Sequence, residues 1–151
     1  MNTLPYRPCV GIMLINSEGR IFTGERIDTP GAWQMPQGGI DRGEQAEDAA
    51  YRELEEEIGV AADRVSIIKQ TSNWLYYDLP PHLMGKAWGG KYRGQKQLWF
   101  KMSLHTKDTA INIATEHPEF GRWQWLEPDQ VIAHIVDFKK DIYQQVLNEL
   151  L

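Results

Sequence analysis

Gly38, five residues, Glu44, seven residues, and then Arg52-Glu53-Leu54-Glu55-Glu56-Glu57-Ile58-Gly59-Val60 form the most demanding pattern in this chain. At about 100° per residue around an α-helix, Glu53, Glu56 and Glu57 fall within one arc, whereas Ala50, Tyr51, Leu54 and Ile58 fall on another. The spacing predicts a helix over roughly 45–58 with one acidic face and one face able to bury. Gly59 stands just past the last apolar residue, where a left-handed C-terminal cap is wanted. Gly38-Gly39 and Asp41-Arg42-Gly43 read as turn chemistry. A tight loop there brings the backbone of Gly38 near the acidic face, which makes its carbonyl a further candidate metal ligand.

Carboxylates at i, i+3 and i+4 repel, at a cost of a few tenths of a kcal/mol per like-charge pair. Hard divalent cations offset that repulsion. Mg²⁺ takes oxygen ligands, keeps several waters, and binds through one or two carboxylates together with substrate phosphates. The cluster therefore points to phosphate chemistry. Three glutamates in five residues, taken alone, are more often a solvated helix face. The fixed positions of Gly38, Glu44, Arg52 and Gly59 around them tell against that reading.

A chain of 151 residues suits one domain, expected over 1–151, with enough residues for its own core. The amino terminus lacks the basic start and apolar run of a secretory signal, and no apolar stretch is long enough to span a bilayer. A soluble, cytoplasmic protein with no membrane partner is expected. Cys9 is the only cysteine, which excludes an intramolecular disulfide or a cysteine-rich zinc site; its apolar neighbours make it a core residue. A net charge of −5 argues against duplex DNA as partner, although much of the acidity lies in residues 41–63, where metal would neutralise it.

Residues 9–15 and 20–23 read as two strands around the turn Asn16-Ser17-Glu18-Gly19, and Trp33 to Pro36 as a short strand leading into the signature loop. Further strands are expected at 65–70, 74–79, 97–104 and 122–126. Pro128 suits a helix start, giving a short helix over 128–135; a longer one follows over 138–150, with Ile142, Val146 and Leu150 as its apolar stripe. Between them, Pro80 to Gly94 reads as a long loop of the kind that commonly carries function. The mixture implies an α/β domain with helices against a mixed sheet.

Every fixed position of the Nudix hydrolase signature is matched by Gly38, Glu44 and the run from Arg52 to Val60, and the chain resembles that superfamily. The resemblance implies an α/β/α sandwich and Mg²⁺ or Mn²⁺ held by Glu53, Glu56 and Glu57, with water cleaving a nucleoside diphosphate from what is attached to it. Glu44 and Arg52 are then a supporting ion pair. Tyr77, separated from Val60 by sixteen intervening residues, resembles the marker of the dinucleoside polyphosphate hydrolases. The stretches Tyr6-Arg7-Pro8, Trp33-Gln34-Met35-Pro36-Gln37-Gly38-Gly39, Asn73-Trp74-Leu75, Gly94-Gln95-Lys96-Gln97 and Pro118-Glu119-Phe120 are similar to the bacterial RNA pyrophosphohydrolase and diadenosine tetraphosphate hydrolase group.

That likeness implies a metal-dependent pyrophosphohydrolase acting on 5′-triphosphorylated RNA, on dinucleoside polyphosphates, or on both. Arg7, Lys96 and Lys139 are candidates to pair phosphate oxygens, Trp33 and Phe138 to stack a base, and Gln34 and Tyr77 to contact substrate. The general base is Glu57 or Glu119; Glu119 is also a candidate metal ligand, Glu116 its neighbour and rival, and His117 a loop residue. No acidic residue lies between Asp78 and Asp108, while Lys86, Lys91, Arg93, Lys96, Lys101 and Lys107 alternate with Trp88, Tyr92 and Trp99. Such interleaving suits single-stranded RNA. Two competing readings are a nucleotide-pool sanitising triphosphatase, disfavoured by the extended motifs, and a nucleotide-sensing module without catalysis, disfavoured by the intact carboxylates.

Overall fold

Strand β1 (Tyr6–Ile15) is the axis of the molecule. A computed structural model describes residues 4–82 and 87–151, the side chains of residues 87, 88 and 138 excepted. β1 runs parallel to β7 (Gly94–Leu104) over ten residue pairs, from Tyr6 opposite Gly94 to Ile15 opposite Ser103. On its other side, β1 pairs antiparallel with β4 (Gln37–Gly39) and, at its far end, with β2 (Ile21–Arg26). β2 carries β3 (Trp33–Gln34) and β8 (Phe120–Leu126), while β7 carries β5 (Val65–Gln70) and β6 (Leu75–Asp78).

Period-two alternation along β1 splits the core into two layers. Val10, Ile12 and Leu14 pack toward helix α1 (Ala46–Ile58), against Ala50, Leu54 and Ile58. Met13 faces the opposite layer, where Trp99 of β7 meets Val131 of α2 (Pro128–His134) and Tyr143 and Val146 of α3 (Lys140–Leu150). The result is the expected α/β/α sandwich. A Cβ added at Gly11 would overlap the Trp99 indole, so the absence of a side chain there lets the ring lie flat on the sheet. Cys9 is buried as expected, and burial pushes its thiol up to about 11.

α1 starts and stops where its sequence specifies. Gly59 closes it in the left-handed region at φ 72°, its N–H donating to Glu55 O. α2 begins with Pro128 at its first turn, and Glu127 and Gln130 satisfy each other's backbone and side chain in a capping box. Leu54 is fully buried beneath the acidic face, so truncation to alanine costs about 2–5 kcal/mol.

Three sequence expectations are corrected. Gly38 and Gly39 are ladder residues of β4, opposite Val10 and Cys9, rather than part of a turn. β1 and β7 each begin three residues earlier than expected, because their first residues pair with each other. The last helix begins at Lys140, preceded by a 3₁₀ turn over Asp137–Lys139. Of the expected loop over 80–94, residues 83–86 lie outside those described, Ala87–Gly90 form a 3₁₀ turn, and Gly94 is already strand. Among the described residues, no helix is long and apolar enough to cross a membrane.

Candidate active site

One guanidinium organises the acidic helix. Arg52 donates twice to Glu44 at 2.9 Å, to Gly39 O at 2.9 Å, to Glu53 at 2.9 Å and to Glu56 at 3.1 Å. It thereby ties α1 to β4 and to the loop between them. Glu44 also accepts the Asp41 N–H at 2.9 Å, and these bonds, Arg52 first, hold its carboxyl down to about 2. The supporting pair read from the sequence is present, and it is a hub rather than a single bridge. At Gly38 a Cβ would coincide with the Glu53 carboxylate, so the glycine allows β4 and the acidic face to meet.

Along the helix the carboxylates differ sharply in exposure. Glu56 is open to solvent, Glu53 is largely covered, and Glu57 is only 5% exposed. Burial pushes Glu53 upward despite the Arg52 hydrogen bond. Glu57 is pushed well above the ordinary glutamate value by burial first, then by the charges of Glu53 and Glu119; the backbone of Gln37 only partly offsets this. Its Oε2 is buried without a hydrogen-bond partner. A buried, unpaired carboxylate oxygen on an acidic ridge fits a cation, because a charge in that position is otherwise left uncompensated. Among the described residues, no three His, Cys, Asp or Glu side chains are already gathered around one point. Glu53 and Glu56 are instead each held by a hydrogen bond from Arg52.

Opposite the ridge, a cleft of about 530 Å³ brings Glu53, Glu56, Glu57 and Glu119 to face Arg7, Arg26 and Lys139. Gln34, Tyr77 and Gly38 also line it, so most of the expected constellation converges. Lys139 is 5% exposed, and burial, with the Arg26 charge behind it, brings its ammonium down to about 8. Its Nζ donates to Gln34 Oε1 at 3.3 Å. The strand holding Gln34 is fixed from the opposite layer by Tyr143, whose hydroxyl accepts the Met35 N–H at 2.9 Å. A second cleft, about 720 Å³, shares the ridge and Glu119 and adds Glu116, His117 and Tyr51.

The structure does not bring every expected residue to the site. Trp33 and Lys96 are absent from the lining of the main cleft. In both cases strand alternation decides: their neighbours Gln34 and Gln95 face it, so they point the other way. Lys96 lies over the Trp74 ring at 4.6 Å, and Trp33 lies under Arg122 at 5.3 Å. The side chain of Phe138, and those of Lys86 and Trp88 in the acid-free stretch, lie outside those described. Five lining residues, Arg26, Gln37, Gly39, Leu79 and Gln95, escaped the sequence reading as site residues. Gln37 and Gln95 stood inside quoted motifs, which was a usable signal; Arg26 had none, since it reaches the cleft through a bulge between Glu25 and Arg26 in the β2–β8 ladder.

Comparison with known proteins identifies the family and the fold. The NUDIX domain profile matches residues 5–146. An RNA pyrophosphohydrolase of Cereibacter sphaeroides is 54% identical over 146 residues, covering 96% of this chain and 90% of its own length. One from Rhodospirillum rubrum is 52% identical over 147 residues, covering 97% and 88%. Among solved structures, the E. coli dihydroneopterin triphosphate pyrophosphohydrolase aligns with a TM-score of 0.73 at 22% identity, over 95% of this chain and 99% of its own. A C. elegans Ap4A hydrolase binary complex aligns at 0.69 and 18% identity, over 94% and 96%. Those two share the fold; the profile and the half-identical relatives settle membership, and the chain belongs to the NUDIX domain family.

Proposed function

We propose that this protein, as one NUDIX unit over residues 1–151, is a divalent-metal-dependent pyrophosphohydrolase of the cytoplasm that removes pyrophosphate from 5′-triphosphorylated RNA. The observation that carries the reading is the opposition, across one cleft, of a carboxylate ridge and a wall bearing Arg7, Arg26 and Lys139. A ligand suited to both sides must be polyanionic and must bring cations with it. The names of the half-identical relatives favour an RNA end as its source. Tyr77 in the lining favours dinucleoside polyphosphates as a second substrate class.

Glu53, Glu56 and Glu57, the carbonyl of Gly38 and Glu119 would hold Mg²⁺ or Mn²⁺. When bound, such an ion neutralises phosphate oxygens and acidifies a water. The protein's own groups supply the rest. Arg7 binds phosphate oxygens with forked N–H donors and Lys139 with a single ammonium, while Arg26, whose Nε and Nη2 are held by Asp28, contributes positive charge behind them. Glu57 or Glu119 takes the water's proton on a carboxylate oxygen as the new P–O bond forms. The bond to the leaving pyrophosphate breaks, and the basic wall stabilises the charge that develops there.

The test is a side-by-side Mg²⁺ assay with triphosphorylated RNA, diadenosine tetraphosphate and free modified nucleoside triphosphates, with products resolved by chromatography. Release of pyrophosphate from RNA is expected. Cleavage confined to free triphosphates overturns the substrate, and binding without phosphate release overturns the enzyme.

A further inference from the structure

Three glutamines line the main cleft, Gln34, Gln37 and Gln95, and each has its side-chain oxygen engaged by a donor. The arrangement starts at Trp99. An indole Nε1 can only donate, so the oxygen it meets at 2.8 Å must be Oε1 of Gln97. The NH₂ of Gln97 then points away from Trp99, donating to Gln95 Oε1 at 2.6 Å and, at the outer limit, to Gln37 Oε1 at 3.5 Å. Gln34 is set by two groups that likewise can only donate, Lys139 Nζ at 3.3 Å and Arg26 Nη1 at 3.5 Å.

An amide's oxygen and nitrogen look alike in outline, and only their neighbours fix which is which. Here every neighbour gives the same answer. Trp99, Gln97, Gln95 and Gln34 are all under 5% exposed, so water competes little for these bonds. Among the described residues, the buried side-chain nitrogens and oxygens left without a partner are Glu57 Oε2 and Thr115 Oγ1, so none of these glutamines has its NH₂ sealed away unpaired.

We infer that the Trp99–Gln97–Gln95 amide relay, with Gln34 and Gln37, makes the basic wall present N–H donors only, and so selects a run of acceptor oxygens, a polyphosphate chain, over any group bearing N–H donors. Gln95 is the contact residue; Gln97 and Trp99 are positioning residues that never touch the ligand. The inference rests on the reading of this cleft as a polyphosphate site and adds the means by which it discriminates. A base edge carrying an amino group meets donor against donor at this wall. A phosphate chain offers an acceptor oxygen to each of these amides.

A charge-neutral double-mutant cycle tests it on the full chain, with inorganic tripolyphosphate as probe, magnesium present and affinity read by calorimetry. Gln95→Met is expected to weaken tripolyphosphate by about tenfold to a hundredfold, as removal of a donor to a charged acceptor does. Gln97→Met, which frees the Gln95 amide to rotate, is expected to weaken it by about threefold and to add nothing in the Gln95→Met background. Equal affinity in Gln95→Met, or effects of the two substitutions that simply multiply, overturns the relay. Should Gln97→Met fail to fold, the wild-type side-chain NH₂ resonances of Gln95 decide: a shift on adding tripolyphosphate supports the relay and no shift overturns it. Turnover of triphosphorylated RNA by the wild type is measured separately. If RNA is not cleaved but the cycle holds, the substrate assignment fails and the wall does not.

Discussion

Replacing Glu57 by glutamine should make the metal-free protein more stable while removing its activity. Glu57 is 5% exposed, and its Oε2 has no hydrogen-bond partner. A buried unsatisfied polar group costs about 1–3 kcal/mol, and more when charged. Glu57→Gln removes the charge at nearly constant volume, so a gain of about 1–3 kcal/mol is expected at neutral pH. For a chain of this size that is roughly 2–12 °C in Tm. The sign with pH follows from linkage. Because the folded-state pKa of Glu57 lies above its ordinary 4.5, the folded state holds its proton more tightly than the unfolded one. The penalty is absent below about pH 4.5, appears as pH rises through that value, and is complete above the folded-state pKa. The wild type and Glu57→Gln should therefore melt together in acid and diverge toward neutrality in the presence of chelator. Adding Mg²⁺ should raise the wild-type Tm and leave the variant's nearly unchanged, with turnover lower by orders of magnitude. A chelated Glu57→Gln protein no more stable than the wild type at neutral pH would refute the argument from burial; normal turnover would refute the metal assignment.

Arg52→Lys keeps the charge but loses the fork that reaches Glu44, Glu53, Glu56 and Gly39 O, so a loss of about 2–4 kcal/mol is expected in chemical denaturation. Gly38→Ala forces the Glu53 carboxylate away from β4, and calorimetry should show weaker magnesium binding with little change in Tm. Lys139 is charged below about pH 8 and neutral above it, so KM for a polyphosphate substrate should climb as pH passes 8, and Lys139→Arg should flatten that rise.

What the sequence disclosed and what it withheld divide along one physical line. The acidic helix was legible because its period, its cap at Gly59 and its carboxylate spacing are all local. The Glu44–Arg52 pair was legible because both partners sit inside the signature. β4 was not, since two glycines carry no period-two signal and their strand character comes from the edge that β1 offers. Alternation explains the mixed result among the substrate candidates. Trp33 and Gln34 are adjacent, as are Gln95 and Lys96, and a strand sends neighbours to opposite faces; which phase meets the cleft is decided by pairing with distant strands. Arg26 depends on a register shift against β8 nearly a hundred residues later, for which no local pattern exists.

The long parallel ladder between β1 and β7 also bears on how the chain is made. During synthesis β1 finds β2 and β4 within the next few dozen residues, but its other edge stays open until residues 94–104 have been made. Loop closure of that length is slow, and an uncovered apolar edge is a template for pairing with another chain. Translation products that stop short of β7 should therefore self-associate rather than linger as monomers, and the nascent chain is most exposed to chaperones during that interval.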